Sequence, residues 1–282
     1  MRWQGGRRGG GVEDRRGLGG GAVAGGGIGV AIIALIGYFV FGIDPSMTTQ
    51  VASQFGGAGS QERGTVGTPE DAAGQFVDVI GTNINDVWAA KMDGYTPPNT
   101  VIYTQGTGTG CGFGQAAMGP FYCPTDKTVY LDLSFWQEME TKLGASGADF
   151  AKAYVIAHEF GHHVQTLTGA SQKVQQAQRA ARSQEEANQY SVALELQADC
   201  YAGVWAASAA SVSGGQVALE AGDLEEGLKT ANAIGDDTLQ RRSGGRVTPE
   251  GFTHGSSAQR VEWLQRGYSA GDPRQCDTFG GL

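Results

Sequence analysis

The longest apolar stretch of the chain runs from Ile28 to Ile43 and reads IGVAIIALIGYFVFGI. With the small residues before it, positions 21–43 carry no charge. A helix needs about 20 mostly apolar residues to cross a bilayer, and glycine is common in such helices. The pattern predicts one transmembrane helix over 21–43. Positions 44–67 are rich in Ser, Thr, Gly and Gln without periodicity, as in a flexible linker. Helical periodicity then begins, with Phe76, Val77, Ile80, Ile84, Val87 and Trp88 on one face as far as about Met92. Thr68-Pro69-Glu70-Asp71 resembles its start: a capping hydroxyl, an early proline, then acids near the positive dipole end. Tyr95–Pro98 breaks the pattern. Val101-Ile102-Tyr103 and Val129–Leu133 read as strands, with a loop-rich stretch over 105–128. From Ser134 the pattern is helical over 134–143, 148–167, 171–181, 185–210, 217–241 and 256–266. A few strands followed by many helices predict an α+β domain over 68–282.

Charge adds a direction to this layout. The chain of 282 residues has a net charge of -9, which excludes a general nucleic-acid binder. Its N-terminus is the exception: Arg2, Arg7, Arg8, Arg15 and Arg16 face only Glu13 and Asp14. Arginines ahead of an apolar run place residues 1–20 in the cytoplasm and everything after Asp44 outside, by the positive-inside rule. A cleaved signal peptide fits less well, because the basic region is long and no small-x-small site follows the run. The expected protein is a single-pass membrane protein with an extracytoplasmic domain.

The chemistry concentrates in His158-Glu159-Phe160-Gly161-His162. Residues four apart stand one turn apart on the same side of a helix, so His158 and His162 can offer both imidazoles to one ion. Glu159 lies about 100° round the helix, beside the ion, where a base for water belongs. The chain has only four histidines, and three fall within positions 158–163, which a solvated face does not explain. A catalytic zinc needs a third protein ligand and an open position. Glu195 and Asp199 are again four apart, inside the otherwise apolar LELQADCYAGVW. Acids on such a face are costly to bury unless paired or metal-bound. The economical assignment makes Glu195 the third ligand and Asp199 an acceptor for a ligand imidazole N–H, with the reverse still open. His163 points away from its neighbour and reads as packing or surface. His254 stands in a loop ahead of the last helix. It is a candidate donor to the oxyanion of a peptide-hydrolysis intermediate, with Arg260 as an ion-pair partner for a buried acid.

HEFGHHVQ, ELQADCYAGVW, GPFYCPTDKTVYLD and THGSSAQR, in that order, resemble the bacterial neutral zinc metallopeptidase family, as does VEDRRG ahead of an apolar segment. The likeness covers nearly the whole chain. It implies a mainly helical, zincin-like domain with a small sheet, one Zn2+ per chain, and a peptide or protein substrate. The E-x-x-x-D and H-x5-R elements are also similar to those of integral-membrane prenyl-protein peptidases and their stress-protease relatives. That resemblance implies Glu195 as ligand, Asp199 behind it, and His254 with Arg260 near the site. Those relatives have several membrane spans where one is expected here.

Four cysteines, none in C-x-x-C, argue against a structural zinc site of their own. Outside the cytoplasm an even number suggests disulfides, and three pairings are possible. The expected set is Cys111–Cys123, closing the glycine-rich loop, and Cys200–Cys276, pinning the C-terminal tail to the ligand helix. Free buried thiols are the alternative. By analogy with zinc peptidases, the strand Val129–Leu133 is expected to be a sheet edge that holds extended peptide, the alternative being an ordinary core strand. These features together predict peptide-bond hydrolysis through a zinc-activated water with Glu159 as general base. The rival is a membrane-tethered binding or chaperone-like protein with a structural metal, which would have no use for Glu159.

Overall fold

A computed structural model describes residues 1–17, 63–115 and 119–280. In chain order the elements are strands β1 (Val12–Asp14) and β2 (Thr65–Gly67), helix α1 (Ala72–Lys91), and strands β3 (Asn99–Tyr103), β4 (Gly106–Thr109), β5 (Gly112–Gln115), β6 (Phe121–Cys123) and β7 (Thr128–Asp132). Helices α2 (Phe135–Thr141), α3 (Asp149–Thr168), α4 (Ala170–Ala180), α5 (Gln184–Val212), α6 (Asp223–Ala233), α7 (Asp236–Arg242) and α8 (Ser257–Ala270) follow. The expected transmembrane helix over 21–43 and most of the expected linker lie outside the described residues. Among the described residues no helix is long and apolar enough to cross a membrane.

The sheet has the order β2-β1-β3-β7-β6. β1 and β7 run parallel to β3, while β2 and β6 are antiparallel additions at the two edges. Val129–Leu133 is therefore not the edge. Every residue of β7 is buried between β3 and β6, and the edge is the three-residue β6. The stretch expected to be loop contains this strand and the β4–β5 hairpin, which the Cys111–Cys123 disulfide ties to β6. The other disulfide joins Cys200 to Cys276, and both pairs are those expected.

Residues 1–17 are not a separate tail. β1 is an inner strand, with Val12, Glu13 and Asp14 paired to Gly67, Val66 and Thr65 on one side and to Thr100, Val101 and Ile102 on the other. Around it, the Trp3 indole donates to Asp149 at 2.8 Å and meets Phe76 edge-on. The backbone N–H groups of Gly9 and Gly10 and the Arg8 guanidinium all donate to the buried carboxylate of Asp78. Arg15 pairs with Glu13 and reaches Thr107 and the Gly108 carbonyl, and Arg16 pairs with Asp14 and Asp71. Arg7, Arg8 and Arg16 thus find acids of the folded body, and the domain does not begin at Thr68. The helix start also moves: Asp71, not Thr68, is the N-cap, accepting from the Gly74 N–H at 3.1 Å.

The single helix expected over 217–241 is two. α6 starts only after Gly222, whose φ of 90° favours glycine. The chain then breaks at Gly235, where a Cβ would stand 2.3 Å from the Ser257 nitrogen at the head of α8. Close approach of another element, invisible in a local pattern, ends the helix.

The core lies between the sheet and helices α1, α3 and α5, filled by Ile80, Trp88, Phe150, Phe160 and Trp205. α5 is apolar nearly all round over 193–209, because α3, α1 and α8 all pack on it. Its contact with α8 is backbone-close. A Cβ on Gly267 would lie 1.9 Å from the Cys200 carbonyl oxygen, and one on Gly203 would lie 2.2 Å from that of Leu264. Gly267→Ala should therefore force the helices apart. We expect a loss of about 3 kcal/mol, the upper end of overpacking costs. Gly108→Ala meets nothing within 4 Å and is the control. Equal urea midpoints for the two variants would refute this reading of the contact.

Candidate metal centre

Helix α3 presents the histidines by simple phase. Its run Phe150, Tyr154, Ile156, Phe160 buries one side of the helix, and His158 and His162 emerge one turn apart toward α5. Across from them α5 brings Glu195. The His158 Nε2 is 3.1 Å from Glu195 Oε2, His162 Nε2 is 3.1 Å from His158 Nε2, and His162 Nε2 is 3.4 Å from Glu195 Oε1. Among the described residues these three are the group that could hold a metal ion. Tetrahedral zinc with bonds of about 2.0–2.2 Å sets neighbouring ligand atoms roughly 3.3–3.5 Å apart. The donor set fits that ion.

The other nitrogen of each ring decides which atom faces the metal. His158 Nδ1 is 2.8 Å from Asp199 Oδ1, and His162 Nδ1 is 2.8 Å from Gln165 Oε1. Each acceptor holds an Nδ1–H, so both Nε2 lone pairs point to one place. Gln165 in turn donates to the Leu194 carbonyl and to Gln197, which donates to the Cys276 carbonyl. Gln165 escaped sequence reading, although a glutamine three residues after His162 on an apolar helix was its trace.

Asp199 is wholly buried and fully used. Arg260 on α8 grips it with two bonds, Nε to Oδ2 at 2.9 Å and a terminal nitrogen to Oδ1 at 3.0 Å. The Tyr154 hydroxyl donates to the same carboxylate at 2.6 Å. Burial works against its charge, but Arg260 and His158 prevail and hold it at about 2. Tyr154 is a second partner absent from the sequence reading.

The remaining groups divide as their surroundings dictate. Burial pushes Glu159 up to about 7, against the pull of His158 and of the nearby Tyr122 backbone N–H on edge strand β6. Burial disfavours the charge on His158 too, yet Asp199 and Glu195 raise it to about 10 without a metal. Glu195 stays ionised well below its usual range: burial opposes this, and His162, His254 and His158 outweigh it. The influence of His254 there reflects its placement beside Glu195. Its loop is pinned by Asp236, whose Oδ2 accepts the backbone N–H groups of Thr253, His254 and Gly255 at 2.8, 2.7 and 3.0 Å. Gly255, with φ 93°, allows the turn. His163 is buried away from the three ligand candidates, accepting from the Tyr122 hydroxyl at Nδ1 and donating to the Thr96 carbonyl. The structure thus brings His158, His162, Glu195, Asp199, Arg260, Glu159 and His254 into one neighbourhood.

No solved structure matches the chain. An Escherichia coli K12 protein, "Uncharacterized protein YpfJ", is 48% identical over 99% of both chains. A Mycobacterium tuberculosis protein, "Uncharacterized protein Rv2575", is 47% identical over 72% of this chain and 69% of its own. The family described as "Putative neutral zinc metallopeptidase" matches residues 1–279, a span that takes in both the N-terminal strand and α8. With two imidazoles and a carboxylate at zinc spacing on that same span, the chain belongs to the neutral zinc metallopeptidase family.

Proposed function

We propose that this protein is a zinc-dependent peptidase in which His158, His162 and Glu195 hold one Zn2+ per chain. The observation that carries the reading is the division of labour among neighbouring groups. Both Nδ1 atoms are engaged by Asp199 and Gln165, both Nε2 atoms meet Glu195, and Glu159 stands apart with its proton affinity raised. When bound, zinc supplies Lewis acidity to water and to a carbonyl oxygen. The protein's own groups do the rest. Glu159, with a carboxyl near 7, can accept a proton from water at neutral pH and return it to the leaving amine. His254, held above its ordinary value by Glu195 and Asp236 against its burial, is a cationic donor for negative charge forming on the carbonyl oxygen. Asp199 and Arg260 keep His158 in its tautomer. β6 is the open sheet edge beside Glu159, where an extended peptide can pair.

The test is cleavage of a peptide library by full-length protein with and without chelator, read together with metal content. Activity that survives complete zinc removal would sink the proposal. Zinc content should be close to one per chain and should fall in Glu195→Gln, which removes a ligand charge. Because His158 is protonated without metal, zinc uptake near pH 7 should release protons, and apparent affinity should weaken as pH falls. Calorimetry in buffers of different ionisation enthalpy measures that release. Uptake with no proton release would contradict the ligand assignment.

A further inference from the structure

We infer that residues 1–17 and the metal-site domain lie on the same side of any membrane that the uncharged run 21–43 enters. The run therefore does not serve as a single-pass span with the arginine segment on the far side. The inference does not depend on the peptidase reading.

The argument starts from the two flanks of residues 18–62. On one side the chain leaves β1 and continues to Gly17. On the other it returns at Arg63 and enters β2. These flanks are neighbours: the Gly64 N–H donates to Glu13 at 2.6 Å, Thr65 pairs with Asp14, and a Cβ on Gly64 would lie 2.2 Å from the Asp14 carbonyl oxygen. A chain that departs and arrives at adjacent strands crosses a bilayer an even number of times or not at all. Two crossings would need two runs of about 20 apolar residues, because lipid leaves an extended polar backbone unsatisfied. Positions 44–62 read DPSMTTQVASQFGGAGSQE and contain no such run. Any engagement with lipid must then begin and end on one face.

The docking of residues 1–17 is too deep to be optional. Asp78 is 2% exposed, and it accepts hydrogen bonds from Arg8, Gly9 and Gly10 as well as from Thr82. Without them a buried carboxylate would lose its compensation, a costly state. β3 would lose one whole ladder, since β1 separates it from β2. Arg2 also exchanges two backbone bonds with Ala218, far along the chain. Supplying the segment from a second copy changes nothing, because every copy's N-terminus would sit on the same far side.

Two single-cysteine reporters test this in full-length protein, whose native cysteines are all disulfide-bonded. Gln4→Cys reports the N-terminal segment, and Lys229→Cys, at an exposed position of α6, reports the domain. A membrane-impermeant maleimide is applied to intact spheroplasts, and again after detergent lysis to show that each site is reachable. The expected result is that both reporters label or both are protected before lysis. Labelling of one alone would overturn the inference. A second pair, Arg7→Cys and Lys142→Cys, with side chains 61% and 56% exposed, repeats the comparison should either first variant fail to accumulate.

Discussion

Glu159→Gln is expected to bind zinc and fold as the parent does while losing peptidase activity by about 10²–10⁴-fold, the usual worth of positioned acid–base catalysis. Glutamine keeps the size and still offers an oxygen toward the nearby Tyr122 N–H. It cannot take up a proton in the working range. Glu159 is outside the ligand group, so metal content should not follow activity. The burial that raises its carboxyl also makes the neutral amide an easy replacement, and stability should hold or improve. Rates on any peptide the parent cleaves, with zinc measured on the same samples, decide the matter. Full activity with zinc bound would eliminate Glu159 as the base.

The second large effect is expected at Arg260. Its guanidinium is 5% exposed, and it pairs through two bonds with an Asp199 carboxylate that has no exposure at all. Arg260→Leu removes the cation and leaves the anion, a change that typically costs about 3–5 kcal/mol. Adding Asp199→Asn to that variant removes the stranded charge and should recover part of the loss. No recovery would mean that lost packing of the long side chain, not the charge, was responsible. The pH dependence has a definite sign. Asp199 is held at about 2, below its ordinary 3.8, so its contribution is present above that ordinary value and is lost as pH falls through 2. Without Arg260 acid unfolding should begin at higher pH. Urea midpoints from about pH 2 to pH 7 test both statements.

The sequence made the centre legible because helical phase is local. Four-residue spacing alone paired His158 with His162 and Glu195 with Asp199, and the polarity of their neighbours marked both pairs as unusual. What it concealed depends on contacts between elements. Gln165, Tyr154 and Asp236 are ordinary residues until α5, α8 or the His254 loop is placed against them. The break at Gly235 exists because α8 arrives there, and the three-residue β6 is too short to leave a periodicity. The N-terminal arginines are a case of a different kind. Beside an apolar run they read as a topology signal, yet Asp71, Asp78 and Asp86, which neutralise three of them, lie far along the chain. Charge near an apolar segment was counted without its distant partners.

The pairing of Arg260 with Asp199 also orders events during synthesis. A ribosome completes the HEFGH and ELQAD helices long before residue 260 leaves the exit tunnel. In that interval Asp199 lacks its cation, the His254 loop has no α8 behind it, and Gln197 has no Cys276 carbonyl to bind. The ligand residues exist, but the parts that orient them are still to be translated. A metal centre built this way is oriented only once the Arg260 helix and the Cys276 segment have been translated.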